Sequence, residues 1–114
     1  MTKDKIVIGL TEKIDVLGGK GHKVVKARID TGASISSIDK NFAQSLGVGP
    51  VTGFTLIKQA HGKSQRAIVK LHMKICGKEF KHRCSLADRS HMRYKLLIGR
   101  NILKNGFLID PSKK

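Results

Sequence analysis

The chain has 114 residues, 39% apolar and 27% charged, and its 23 Lys and Arg against 8 Asp and Glu give a formal charge of +15 at pH 7. That length supports a single domain over residues 1–114 with one modest core and excludes two, and no run of about 18 uncharged apolar residues is available to cross a bilayer. The opening Met1-Thr2-Lys3-Asp4-Lys5 has neither the apolar stretch nor the cleavage site of a leader peptide, so a soluble cytoplasmic protein without membrane contact is expected.

Apolar residues fall in short runs separated by glycine-bearing breaks, the pattern of many short strands rather than long helices. Taken in order, the runs predict strands at Ile6–Leu10, Lys13–Leu17, His22–Asp30, Phe54–Gln59, Ser64–Cys76, Glu79–Ala87, Leu96–Gly99 and Phe107–Asp110. Hairpin breaks lie at Gly18-Gly19-Lys20-Gly21, Ala60-His61-Gly62-Lys63 and Gly77-Lys78, each with the glycine that positive backbone angles favour. One short helix fits an Asp39 cap, Phe42, Leu46 and a Gly47 stop, and a second fits Asn101–Asn105 before Gly106. Eight short strands with one or two short helices imply an all-β fold, a small closed or partly closed barrel. The last strand could serve as an exposed edge, which seeks a partner.

Cys76 and Cys84 flank one hairpin and read as two buried thiols rather than a zinc knuckle or redox pair. Histidines at 22, 61, 72, 82 and 91 have no metal-ligand spacing, although ligands can still meet in space. The positive charge attracts polyanions, whether nucleic acid, a ribosome or an acidic polypeptide. Four Phe and one Tyr, with no RNP-like pair, leave little for base stacking, and a lysine-rich surface that serves solubility accounts for the charge as well.

One stretch, KARIDTGASISSID at residues 26–39, carries Asp30 from a strand end into Thr31-Gly32-Ala33-Ser34. Small residues beside a carboxylate let a substrate backbone approach and leave hydroxyls and amides to hold its oxygens; the same residues also make a plain tight turn. A second stretch, KLLIGRNIL at residues 95–103, sets Gly99 and Arg100 between an apolar strand and a helix. Together, in this order and length, the Asp-Thr-Gly-Ala turn and the apolar-apolar-Gly-Arg-Asn junction resemble the retropepsin family of aspartic peptidases, and IVKLHMKICGKEFKHRCSL resembles the strand pair after its flap. IGLTEKIDVL, VKARIDTGASISSID, LADRSHMRYKLLIGRNIL and GFLIDPSK are similar to a bacterial and archaeal retropepsin-like group that carries the label ATP-dependent zinc protease, the short form here resembling archaeal members. No Gly-x-x-x-x-Gly-Lys phosphate loop and no zinc motif accompanies that likeness.

The resemblance implies a retropepsin-type barrel acting as an aspartic endopeptidase without metal or cofactor. Since Asp-Thr-Gly occurs once, the second carboxylate would come from a homodimer partner. It implies Asp30 as catalytic acid and base, Thr31 gripping the backbone across the dimer axis, and Gly32 and Ala33 in the active-site turn. Gly99 and Arg100 would brace that turn, but Ser34 stands where retroviral enzymes place the aspartate that pairs with the arginine. Ala60, His61 and Gly62 would form the flap tip. One member of the group is associated with a ligase that adds glutamates to a ribosomal protein, which points to acidic, glutamate-rich substrates. Two other readings stay open: an inactive retropepsin-like barrel that binds peptide or RNA through its basic surface, and a metal hydrolase using His61, His72, His82 or His91.

Overall fold

In the computed structural model, which describes residues 5–113, side chains that alternate between interior and solvent build most of the strands. The opening segment through Asp4, read above for a leader peptide, lies outside the described residues. The order is β1 (Ile6–Ile8), β2 (Thr11–Gly18), β3 (Gly21–Ile29), β4 (Ser36–Asp39), α1 (Lys40–Leu46), β5 (Val51–Gln59), β6 (Gly62–Ile75), β7 (Lys78–Ala87), β8 (Leu96–Ile98), α2 (Arg100–Leu103) and β9 (Phe107–Ile109).

Six strands close a ring. They pair in the order β2, β3, β8, β4, β7, β6, and β6 returns to β2 in antiparallel register from Ile14↔Ile75 to Leu17↔His72. Closure removes the unpaired strand edges that an open sheet would present. Ile14, Val16, Ala27, Ile38, Leu71, Met73, Leu96 and Ile98 fill the interior with almost no exposure, and burying each large aliphatic side chain contributes about 1.5–3 kcal/mol. On β3, Ala27 and Ile29 point inward and Val24 outward, which fixes a register that the sequence VVKARI leaves open.

β6 is long enough to serve two structures. Its residues from Ile68 pair with β7 inside the ring, whereas Gly62–Val69 pair with β5 and carry a hairpin beyond it. Phe54 and Leu56 on β5 are each 63% exposed, a large apolar area for a surface strand. β1 and β9 form a separate parallel pair, with Ile8 and Phe107 turned to the core and Val7 and Leu108 outward.

The expected small closed β barrel with two short helices is therefore the fold, and the three hairpins fall where their glycines predict. Four details differ. β4 was not expected, because Ser36-Ser37-Ile38-Asp39 shows no apolar alternation; it is buried on every residue between β7 and β8. α2 starts at Arg100 and ends at Leu103, earlier than Asn101–Asn105, with the extended Gly99 as its N-cap and Lys104 as its C-cap. β9 pairs with β1, so only its other side remains an edge among the described residues. Cys76 is exposed, against the expectation of two buried thiols. With Gly77 it makes the two-residue turn between β6 and β7, and both have positive φ (52° and 79°), as a type I′ hairpin requires.

Cys84, fully buried, has its thiol pushed up in pKa by desolvation. An aromatic disulfide reagent should label one thiol per native chain rapidly, at Cys76, and the second only on unfolding. Rapid labelling of both would contradict the burial of Cys84.

Candidate active site

The topology determines where the Asp30 turn sits. β8 lies between β3 and β4, parallel to the first and antiparallel to the second, so the link from Ile29 to Ser36 must cross over the end of β8. The crossing point is Gly99. A Cβ there would lie 2.8 Å from the Ala33 carbonyl oxygen and 3.0 Å from the Ile35 backbone, so only glycine lets the two segments touch.

Hydrogen bonds then lock the crossing. Asp30 N donates to Ile98 O (2.9 Å), Arg100 N to Ala33 O (2.8 Å) and Asn101 N to Ser34 O (3.2 Å). Below them, Ser36 Oγ accepts from Gly99 N and donates to Asn101 Oδ1, both at 2.9 Å. Asn101 Oδ1 also accepts from Ser36 N (2.9 Å), and its Nδ2 donates to Arg83 O (2.7 Å). Ser36 and Asn101 therefore tie three strands beneath the turn. Neither role is visible from the sequence, where Ser36 reads as a turn residue and Asn101 as the start of a helix.

Within the turn, Gly32 N donates to Asp30 Oδ1 at 2.8 Å, fixing the carboxylate through its own backbone and leaving Oδ2 without a partner among the described residues. Arg100 braces the turn by donating from Nη1 to Thr31 O at 2.8 Å. A backbone carbonyl thus takes the place of the missing carboxylate partner. Asp30, Thr31, Gly32, Ala33, Gly99 and Arg100 come together as one unit. Ala60 and His61 form the hairpin tip and Gly62 opens β6 behind it.

Two hollows flank the crossing. One, of about 400 Å³, is lined by Gly32, Ala33 and Ile35 of the turn, Leu56 and Lys58 of β5, and Arg66, Ser37 and Arg89. The other, about 520 Å³, lies between Ser34, Leu56 and the His82-Arg83 segment with Lys104. No carboxylate lines either, whereas five cations do: Lys58, Arg66 and Arg89 line the first and Arg83 and Lys104 the second. The hairpin tip residues line neither hollow. Among the described residues no three His, Cys, Asp or Glu side chains meet in a metal-binding group. His72 instead bonds Glu79 and His22 bonds Asp15.

The model of the RimB-like family, described as retropepsin-like aspartic endopeptidase RimB, matches residues 44–114, more than half of the chain, beginning after the Asp30 turn. A protein of Shewanella pealeana called "Probable alpha-L-glutamate ligase" is 28% identical over 138 aligned positions that take in 99% of this chain, and one of the same name from Shewanella halifaxensis is 27% identical. The chain spans about 30% of the length of these two curated relatives. Among solved structures, a Legionella pneumophila protein of unknown function has a TM-score of 0.64 at 20% identity, covering 95% of this chain and 94% of that one. The simian foamy virus protease has a TM-score of 0.61 at 19% identity (82% and 91% covered). The protease of EIAV in complex with an inhibitor has 0.65 at 20% identity (90% and 88% covered). These likenesses establish the fold.

Gly99→Ala should displace the crossing and lower stability by about 1–3 kcal/mol, the usual range for overpacking against backbone that cannot retreat. Chemical denaturation measures it; a midpoint equal to that of the native chain would show that the contact is not tight.

Proposed function

Since the chain belongs to the RimB-like family of retropepsin-like proteins, we propose that it is an aspartic endopeptidase that works as a homodimer, each copy contributing Asp30. Two carboxylates about 3 Å apart cannot both ionise, so the pair holds one proton. The ionised member takes a proton from a water held between them while the protonated member donates a hydrogen bond to the scissile carbonyl, whose carbon the water oxygen attacks. The amine leaves with a proton returned by the pair.

The observation that carries this reading is the Asp30 carboxylate, fixed by the Gly32 N–H on a turn pinned over Gly99 beside an open groove. Support for a second copy comes from the terminal strands. β9 keeps one free edge among the described residues, and Val7 and Leu108 expose apolar surface. An apolar hollow of about 320 Å³ reaches from Leu108 and Ile109 to Thr31 and Arg100, beside the turn that a twofold axis would duplicate. The β5–β6 hairpin is the flap, and a bound peptide would cover Leu56.

The substrate we propose is an acidic, glutamate-rich polypeptide. The charge of +15 and the cation-lined groove support it through electrostatic steering, and so does the alignment with proteins named as glutamate ligases.

Asp30→Asn should abolish cleavage of glutamate-rich peptides between acidic and neutral pH while preserving their binding; retained cleavage would remove Asp30 from the mechanism. An active chain that sediments as a monomer at assay concentration would remove the dimer. If no peptide is cleaved by the native chain, the inactive peptide- or RNA-binding barrel takes over. Turnover at low substrate should fall as ionic strength rises toward about 0.15 M, where the Debye length is roughly 8 Å. A rate insensitive to salt would argue against steering and leave the peptidase in place.

A further inference from the structure

Arg89 is a cation in an unusual position. It sits in the irregular segment after β7, only 8% of its surface is exposed, and it takes part in no ion pair among the described residues. Its Nε donates to Tyr94 O at 2.9 Å. The charge of Asp39 acts on it without forming an ion pair, the two Asp39 oxygens accepting instead from the Arg89 backbone N–H (Oδ1, 2.8 Å) and from Phe42 N (Oδ2, 3.1 Å). A buried charge with no anion paired to it is costly.

A polar group without a partner belongs to a residue that lines a cavity together with Arg89. Ser37, in the middle of β4, is 7% exposed, and its Oγ has no hydrogen-bond partner. Ser37, Arg66 and Arg89 all line the hollow of about 400 Å³ whose wall includes Gly32 and Ala33. A buried hydroxyl without a partner, a buried guanidinium without an anion and a second guanidinium beside it lack one thing in common, an oxygen-rich anion.

We propose that this hollow is a carboxylate-binding subsite, in which Arg89 and Arg66 hold the side-chain carboxylate of one substrate residue close to the scissile bond and the Ser37 hydroxyl donates to it. Burial, and next the charge of Arg66, hold the Arg89 guanidinium below the usual arginine range; Arg28 adds to this, while Asp39 and Cys84 oppose it. A carboxylate in the hollow would offset both leading causes through its opposite charge. Lys58, at the rim on β5, adds a cation that an entering acid passes.

This inference rests on the peptidase reading for the position of the scissile bond, and it goes further than steering. Steering speeds the approach of any acidic chain. A hollow with donors fixed in its wall reads one position, and it disfavours an isostere that cannot supply the charge, because its own groups are then left unpaired. In a twofold dimer the pocket occurs twice, so two substrate positions placed symmetrically about the cleaved bond are read in this way.

The probes are hexaglutamate and the peptides in which each Glu in turn is Gln. Binding is measured by calorimetry on Asp30→Asn, and cleavage on the native chain. Arg89→Gln also breaks the bond to Tyr94, so Arg66→Gln and Ser37→Ala carry the test, each with its melting curve recorded. Gln at one position, or at a symmetric pair, should weaken binding about tenfold or more, while Gln elsewhere changes it little. Arg66→Gln should reduce that penalty to about two- or threefold, and Ser37→Ala should reduce it in part. The subsite is overturned if hexaglutamate does not bind, if no Gln peptide is penalised, or if both variants keep the full penalty. Cleavage without discrimination overturns the subsite alone. Discrimination in binding without cleavage upholds it and overturns the peptidase.

Discussion

The close approach of Gly99 to the backbone of Ala33 and Ile35 is the constraint on which the rest of the molecule depends. Inserting β8 between β3 and β4 obliges one loop to pass over the end of another strand, and a side chain at the crossing would force the two apart. Once they touch, the backbone bonds from Asp30, Arg100 and Asn101 become available, and Ser36 and Asn101 fasten the layer beneath. The carboxylate of Asp30 thus stands on a loop that the fold has deprived of most of its freedom, the condition that the proposed catalytic role requires.

Charge is distributed with respect to that loop. The groove beside it is lined by basic side chains without an acid among them, whereas Asp15 and Glu79 are occupied by histidines on the barrel wall. His72 is the leading cause that holds the Glu79 carboxyl below its usual pKa, through a hydrogen bond and then through its charge. Arg100 shows the opposite economy. Its guanidinium donates to the Thr31 carbonyl, so the turn is braced by a charged donor on a neutral acceptor, and the carboxylate of Asp30 is left unpaired with it.

Much of this was legible in the sequence. Alternation with glycine-bearing breaks located the hairpins, the Asp39 and Gly47 ends of α1 were readable from their capping chemistry, and the two short stretches around Asp30 and Gly99 proved to be one structure. What escaped notice is what depends on contacts across the chain. β4 carries Ser, Ser and Asp at buried positions, which show no strand pattern locally, because the groups that satisfy Ser36 and the second contact of Asp39 come from Asn101, Gly99 and Arg89. Arg89, among Asp88, Ser90 and His91, reads as one more solvated charge, and its burial follows only from packing against Tyr94 and Asp39. Cys76 was assigned to the interior by the habits of its residue type, although the turn it occupies has no interior side.

The continuity of β6 has a mechanical consequence. At Ile68 and Val69 the strand is gripped on one side by β5 and on the other by β7, next to an irregularity in β5 between Val51 and Gly53. On the β6 side the hairpin above this point continues the barrel strand without a break. Any bending of the hairpin therefore works against the clamp at Ile68 and Val69, which sets the stiffness of the arm more than the residues at its tip do.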